Sequence, residues 1–328
     1  MSNEVKAVVI EENGGPEKML WKNISLKEPK INEVTIKHTH VGLNYIDTYH
    51  RSGLYPLPLP SGLGMEASGE IIKVGQSVEN LKVGDKVCYA MSIGSYSTHR
   101  NIDAERVVKI PNKVKESYAA AIMLKGMTVE YLVERLFKVD KTHTVLFHAI
   151  AGGVGLIACQ WLKSLGAYVI GTVGNDKKAS IAKKYGCDEV ILYKNENFVE
   201  RVKEITSGNG VDVVYDGVGK DTAIAGLDCL KPLGTMVVFG NSSGNCPPVE
   251  PGLLAAKGSL FFTRPTLMTY AAKKDDLLHS SSRVFTMLLN NTIELTINDS
   301  YKLSDIVKAH EDLENRKTSG SIVLRNNY

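Results

Sequence analysis

The 328-residue chain is 43% hydrophobic and 23% charged with a formal net charge of +3, the proportions of a soluble globular protein long enough for two domains. No apolar run approaches the roughly 20 residues that span a bilayer, and MSNEVKAVVI lacks a basic region leading into an apolar stretch, so a cytoplasmic protein is expected. Scattered cysteines (Cys88, Cys159, Cys187, Cys229 and Cys246) without a C-x-x-C pair exclude a disulfide framework and a zinc ribbon, and the dispersed positive charge argues against a nucleic-acid partner.

From the N-terminus to about residue 120 the chain is strand-like and rich in turns. VKAVVI (5–10), EVTIKHTHVG (33–42), GEIIKVG (69–75) and DKVCYA (85–90) are β-branched runs, separated by Gly14-Gly15-Pro16, Glu28-Pro29 and Val83-Gly84-Asp85. From about 125 to 263 apolar strands alternate with helical stretches, the rhythm of a doubly wound parallel sheet. The predicted strands are TVLFHA (144–149), AYVIGTV (167–173), EVILY (189–193), VDVVYD (211–216), GTMVVFG (234–240) and SLFFT (259–263). A helix follows Gly155 and ends near Gly166. The tail returns to mixed structure, and SGSIVLR (319–325) is placed in the first domain's sheet, making that domain discontinuous: 1–124 with 264–328 around 125–263.

Between the first predicted α/β strand and its helix lies FHAIAGGVG (147–155). Strand, glycine-rich turn and helix in that order suit an anion, because the first N–H groups of a helix lack intrahelical partners and the dipole favours negative charge. The pattern is A-x-x-G-x-x-G, with Ala149 in the first glycine's place, then Gly152 and Gly155, and with Gly153 permitting close backbone approach. A tight turn holding no ligand is the competing reading. The next strand ends in Thr172-Val173-Gly174 without the acid that would bind a ribose hydroxyl of NAD. Lys177 and Lys178 follow, and Lys178 suits a 2′-phosphate, so despite Asp176 the reading favours NADP.

Several segments together resemble the NADPH:quinone oxidoreductases of the zeta-crystallin type, in the zinc-independent branch of the medium-chain dehydrogenase/reductase superfamily. They are LNYIDTYHRSGLYP (43–56), LPSGLGMEASGEI (59–71), LKGMTVEYL (124–132), FHAIAGGVGLIACQW (147–161), VVYDGVGKDT (213–222), VVFGNSSG (237–244) and GSLFFTRPTL (258–267). The resemblance implies an α/β fold: a GroES-like β-barrel domain (1–124 and 264–328), a Rossmann domain (125–263) with strand order 3-2-1-4-5-6, and an active cleft between them. It also implies a homodimer paired through the sixth Rossmann strand (259–263). For NADPH it implies contacts from Asn44, Tyr49, Thr128, Gly153, Val154, Gly174, Lys178, Tyr193, Phe239, Asn241, Arg264 and Arg316, and the neighbouring Tyr131, Gly152, Gly217, Gly240, Ser242 and Pro265 join that expected set. Gly217 departs from relatives that carry serine or another small side chain there.

Zinc-dependent relatives place a thiolate or its equivalent in the segment matching Leu43–Asp47 and a histidine before the glutamate matching Glu66. Here those places hold Asn44 and Met65, an amide and a thioether, so no metal is expected. His38 and His40 lie two apart on a strand and are read as packing residues sharing a face. Tyr45, Asp47 and Arg51 are the expected substrate-pocket residues, with Asn44 and Tyr49 as positioning groups or donors, against a competing reading as ordinary strand-to-turn packing. No dedicated general base is visible. Without a metal to polarise a carbonyl, the substrate should accept hydride readily, which makes quinones the first choice and α,β-unsaturated aldehydes or ketones the second. A structural or RNA-binding crystallin-like protein that only holds NADPH is the reading from another class.

Overall fold

The computed structural model describes residues 3–327. The chain divides into two compact units, one taking the chain up to Met127 with Ala271–Asn290 and the segment from Leu295 onward, the other Thr128–Tyr270 with Asn291–Glu294.

The first unit is built on β-structure. Its seven-stranded sheet runs Ile297–Lys302, Ser321–Arg325, Glu33–Leu43, Glu66–Val74, Lys86–Ala90 and Val108–Lys109, with His99–Asp103 also paired to Glu33–Leu43. A three-stranded sheet places Asn3–Ile10 between Leu20–Leu26 and Ser61–Gly62. Alternation along these strands sends Val34, Ile36, Val41, Ala67, Ile71, Val87 and Tyr89 into one core, which Ile322 and Leu324 of the C-terminal strand join. That strand runs antiparallel to Glu33–Leu43, with Ile322 opposite Leu43, so the C-terminal run completes the sheet as its sequence predicts.

The expected shared face for His38 and His40 fails at a bulge. The register slips between them, which breaks the two-residue period, and His38 is buried while His40 is half-buried. His38 donates from Nδ1 to the Ser97 carbonyl at 2.7 Å and accepts at Nε2 from the Tyr89 hydroxyl at 2.9 Å. Burial pushes its pKa down to about 3, so it is a neutral core residue with both ring nitrogens engaged.

The second unit is a six-stranded parallel sheet in the order Glu189–Leu192, Tyr168–Val173, Thr144–Phe147, Val211–Asp216, Leu230–Val238, Phe261–Thr263. Numbered along the chain this is 3-2-1-4-5-6, the expected doubly wound topology. The fifth strand begins at Leu230 rather than at Gly234, because Leu230 pairs with Val211 ahead of a register shift. Leu146, Ile170, Ile191, Val214 and Met236 fill one core with Val202, Ala223 and Leu227 from the covering helices. The helix Gly153–Ser164 buries Leu156, Ile157, Cys159, Trp161 and Leu162, and Gly166 beyond it takes the left-handed conformation (φ 83°) that stops a helix.

Candidate functional site

The phosphate-type loop of the second unit is shaped by steric exclusion. A Cβ on Gly155 would lie 2.4 Å from the Ile150 carbonyl oxygen and 2.6 Å from that of Ala149, so only glycine lets the helix start this close to the strand end. Gly152 caps the helix, and the first intrahelical bond runs from Leu156 N–H to the Gly152 carbonyl at 2.9 Å. The Gly152 N–H is taken by the Ala149 carbonyl at 2.9 Å, and the N–H groups of Gly153, Val154 and Gly155, which lack an intrahelical partner, are the ones that suit an anion. Ala149, in the first glycine's place, sits at φ 55°, a conformation that costs a residue with a Cβ about 1–2 kcal/mol. Its neighbours hold it there: the Ala149 N–H donates to Thr172 Oγ1 at 3.2 Å, His148 N–H to the Tyr215 carbonyl at 3.0 Å and Ile150 N–H to the Thr172 carbonyl at 3.2 Å.

Around that loop the sheet brings further expected residues to the ends of its strands. Gly174 follows the second strand, and a Cβ there would press within 2.9 Å of the Tyr193 hydroxyl, so these two expected cofactor residues adjoin. Asn175 caps the helix Asp176–Lys184 by accepting the Lys178 N–H at 3.0 Å, which sets the Lys178 stem in the helix's first turn. Asp176 is exposed at the first helical position, where its charge complements the helix dipole. After the fourth strand, fully buried Asp216 accepts the N–H groups of Val218 and Gly219 at 2.6 and 3.1 Å and the Thr222 hydroxyl at 2.7 Å. That carboxylate fixes the turn carrying Gly217. A Cβ on Gly217 would lie 3.0 Å from the Phe239 ring, and one on Gly240 would lie 2.6 Å from the Gly217 carbonyl oxygen. The missing serine at 217 thus goes with a phenyl ring packed over the turn. Asn241 is buried nearby, Ser242 donates its N–H to the Gly217 carbonyl at 3.2 Å, and Arg264 donates to the Pro265 carbonyl at 2.9 Å. Tyr131 is buried, its ring stacked on Tyr270 at 4.5 Å and its pKa raised by that burial. Thr128 is also buried.

In the first unit the helix Tyr45–Ser52 carries the other expected residues. Asn44 is its N-cap in extended conformation, and Asp47 Oδ2 accepts the Asn44 N–H at 2.9 Å. Tyr45 and Tyr49 are 5.7 Å apart by ring centroid on the helix, and Tyr49 meets Tyr55 of the following turn edge-on at 5.1 Å. Arg51 is buried and spends its donors within the unit: Nε on the Gly14 carbonyl at 3.0 Å, the fork on both Glu314 oxygens at 2.8 and 3.0 Å, and NH1 on His310 Nδ1 at 2.8 Å. Arg316 lies in the same unit at φ 58°.

The Arg51 bond fixes a chain of donors. A guanidinium only donates, so His310 Nδ1 accepts, and neutral His310 carries its hydrogen on Nε2. Nε2 then donates to the Tyr96 oxygen at 3.0 Å, and the Tyr96 hydroxyl donates to Asp47 Oδ2 at 2.6 Å. Burial and the Arg51 charge press His310 to about 3. Asp47 is fully buried; desolvation lifts its pKa to about 7 even though the bonds from Tyr96 and from the Asn44 backbone pull the other way. Tyr96, His310 and Glu314 were not singled out by the sequence, because residues 96, 310 and 314 carry no local motif.

Two donors that a zinc site would use are occupied differently here. Asn44 turns its Nδ2 toward Glu66 at 2.8 Å, and Met65 is buried. Among the described residues no group of three or more His, Cys, Asp or Glu is placed to hold a metal ion.

The folds of the two units agree with two family models: residues 30–112 match the alcohol dehydrogenase GroES-like domain and residues 153–273 the zinc-binding dehydrogenase model. Fold and loop geometry thus define a dehydrogenase-type chain with a GroES-like part and a dinucleotide-binding part. A quinone oxidoreductase from Salmonella typhimurium is 48% identical over 95% of this chain and 97% of its own length. The crystal structure of Escherichia coli quinone oxidoreductase complexed with NADPH covers 98% of this chain and 99% of its own, with a TM-score of 0.95 and 46% identity. A 2-haloacrylate reductase from Burkholderia sp. is 39% identical over 98% of both chains. The chain belongs to the quinone oxidoreductase family of the medium-chain dehydrogenase/reductase superfamily.

Proposed function

We propose that the chain is an NADPH-dependent quinone oxidoreductase, acting in the cytoplasm and without a metal. The observation that carries this reading is the full-length likeness to quinone oxidoreductases, one of them crystallised with NADPH. A glycine cradle that leaves no room for a Cβ at Gly155 supports it.

When bound, the cofactor supplies hydride; the protein supplies position, exclusion of water and polar groups aimed at the oxygen that gains charge. In this reading Gly152, Gly153 and Val154 hold the pyrophosphate, and Lys178 faces the 2′-phosphate beside Gly174 and Tyr193. Thr128, Tyr131, Gly217, Phe239, Gly240, Asn241, Ser242, Arg264, Pro265 and Arg316 complete the cofactor site. Asn44 and Tyr49 position the reactants or donate to the developing oxyanion, and Tyr45 is the pocket residue nearest to them on the helix. Asp47 and Arg51 act through the buried network that anchors this helix. The unit that ends its first segment at Met127 is the substrate domain, and the unit Thr128–Tyr270 with Asn291–Glu294 is the dinucleotide domain, a few residues displaced from the expected bounds of 124 and 263.

The enzyme works as a homodimer through strand 259–263. That strand lies at the end of its sheet, and Phe261 is 62% exposed. Sedimentation of the protein as a monomer at micromolar concentration would reject this element.

The test of function is loss of NADPH absorbance with 1,4-benzoquinone and with a naphthoquinone. Turnover is expected with both, and inactivity with every quinone defeats the reading. The 39% identity to a 2-haloacrylate reductase favours activated alkenes as the second reading, and higher kcat/KM on an enal or 2-haloacrylate than on quinones would select it.

A further inference from the structure

Glu66 is fully buried at the start of its strand and is met only by donors. Its Oε1 accepts the Leu124 N–H at 2.8 Å; its Oε2 accepts Asn44 Nδ2 at 2.8 Å and Lys125 Nζ at 3.4 Å. Lys125 is itself buried and reaches the Leu43 carbonyl at 3.4 Å. Oε2 thus lies between an amide NH2 and an ammonium, and the buried ion pair balances its own charge. Space around the carboxylate is closed as well: a Cβ on Gly42 would lie 2.4 Å from Glu66 Oε2 and 2.2 Å from the Ala120 carbonyl oxygen.

An acceptor-only group facing Asn44 decides which end of the amide it meets. Nδ2 must face Glu66, and Oδ1 must turn away from it. The alternative rotamer would set Oδ1 against a carboxylate oxygen, acceptor against acceptor, between two buried side chains. We propose that Glu66, supported by Lys125, is a positioning residue that locks the Asn44 side-chain amide in one orientation for the reaction. The proposal rests on the reading above that Asn44 belongs to the cofactor and substrate site. Glu66 itself touches neither reactant in this account; it acts through Asn44.

The test is a double-mutant cycle of Glu66→Gln with Asn44→Ala, read in kcat with NADPH and 1,4-benzoquinone and in NADPH Kd by fluorescence titration. A glutamine that keeps its oxygen on the Leu124 N–H turns its NH2 toward Asn44 and so no longer holds the amide nitrogen there, while the reverse placement sets NH2 against the Leu124 N–H, donor to donor. Glu66→Gln is expected to lower kcat about 10-fold when Asn44 is present and less than about 2-fold in the Asn44→Ala background, because the second change removes the group being positioned. Equal fold-losses in both backgrounds overturn the proposal, as do unchanged kcat and Kd in either single variant. If the parent binds NADPH but turns over no quinone, the functional reading fails alone and the same cycle is judged on Kd. Absence of NADPH binding defeats both. Should Glu66→Gln not fold, Glu66→Asp replaces it in the cycle, since it keeps the charge but is too short to reach Leu124 and Asn44 together.

Discussion

The Tyr96 hydroxyl donates to Asp47 at 2.6 Å while accepting from His310 at 3.0 Å, and this joins a loop, the Tyr45–Ser52 helix and the C-terminal helix Ile306–Glu314 in one buried network. Removing the hydroxyl by Tyr96→Phe leaves the His310 Nε2–H without an acceptor and strips Asp47 of one donor. Asp47 keeps the Asn44 N–H, so one orphaned donor remains, and a loss of about 1–3 kcal/mol is expected by urea denaturation. A loss below about 0.5 kcal/mol would show that the network does not hold the helix.

The same buried groups set the acid response. His38 and His310, each at about 3, and His50, at about 4, stay neutral in the folded chain while their unfolded counterparts protonate near 6.5. Each therefore contributes stability that is present above 6.5 and lost as the pH falls through the folded value. Asp47 acts in the opposite sense: at about 7 against 3.8 unfolded, its contribution is complete below 3.8 and is lost as the pH rises toward 7. Between pH 4 and 6.5 these imidazoles, joined by His148 and His99, whose pKa values burial also lowers, oppose one carboxyl, so the unfolded state binds more protons and stability rises with pH. Asp47→Asn removes the opposing group and should steepen that rise by about one proton in urea titrations run across this range. An unchanged or shallower slope contradicts the assignment.

The glycine loop separates packing from conformational freedom. Gly155 has a φ outside the left-handed region, yet its Cβ would lie 2.4 Å from a carbonyl oxygen, whereas a Cβ on Gly152 would approach no closer than 3.2 Å. Gly155→Ala is expected to cost about 1–3 kcal/mol and to weaken NADPH at least 10-fold, since overpacking displaces the helix start. Gly152→Ala should be the milder change in both readouts, and the reverse ranking in thermal melts and NADPH titrations would refute the steric account.

Lys178 tests the cofactor phosphate. Its position is set by the Asn175 cap in the first helical turn after the second strand. Lys178→Glu should weaken NADPH roughly 10- to 100-fold, about 1.4–2.7 kcal/mol, and leave NADH nearly unchanged, because only NADPH carries the 2′-phosphate. Parallel Kd measurements check this, and equal weakening of both cofactors would remove Lys178 from the phosphate site.

What the sequence made legible follows from local physics. The α/β alternation from 125 onward, the glycine turn and the acid-free end at Gly174 are contiguous patterns, and the six-stranded parallel sheet matches the alternation, while its order 3-2-1-4-5-6 is implied by the family resemblance. Leu20–Leu26 and His99–Asp103 escaped because LWKNISL and HRNID lack a β-branched run; they become strands by pairing with Asn3–Ile10 and Glu33–Leu43. The Asn44, Glu66 and Lys125 cluster and the Arg51 to His310 bond, which spans 259 positions, join distant segments through single side chains. No spacing rule reaches across such separations, and only the fold brings them together.

The central claim is tested most directly by kcat/KM for 1,4-benzoquinone with NADPH and with NADH in the same preparation. Turnover with NADPH exceeding that with NADH by at least 10-fold is the expected result. Equal use of both cofactors, or no quinone reduction with either, would contradict it.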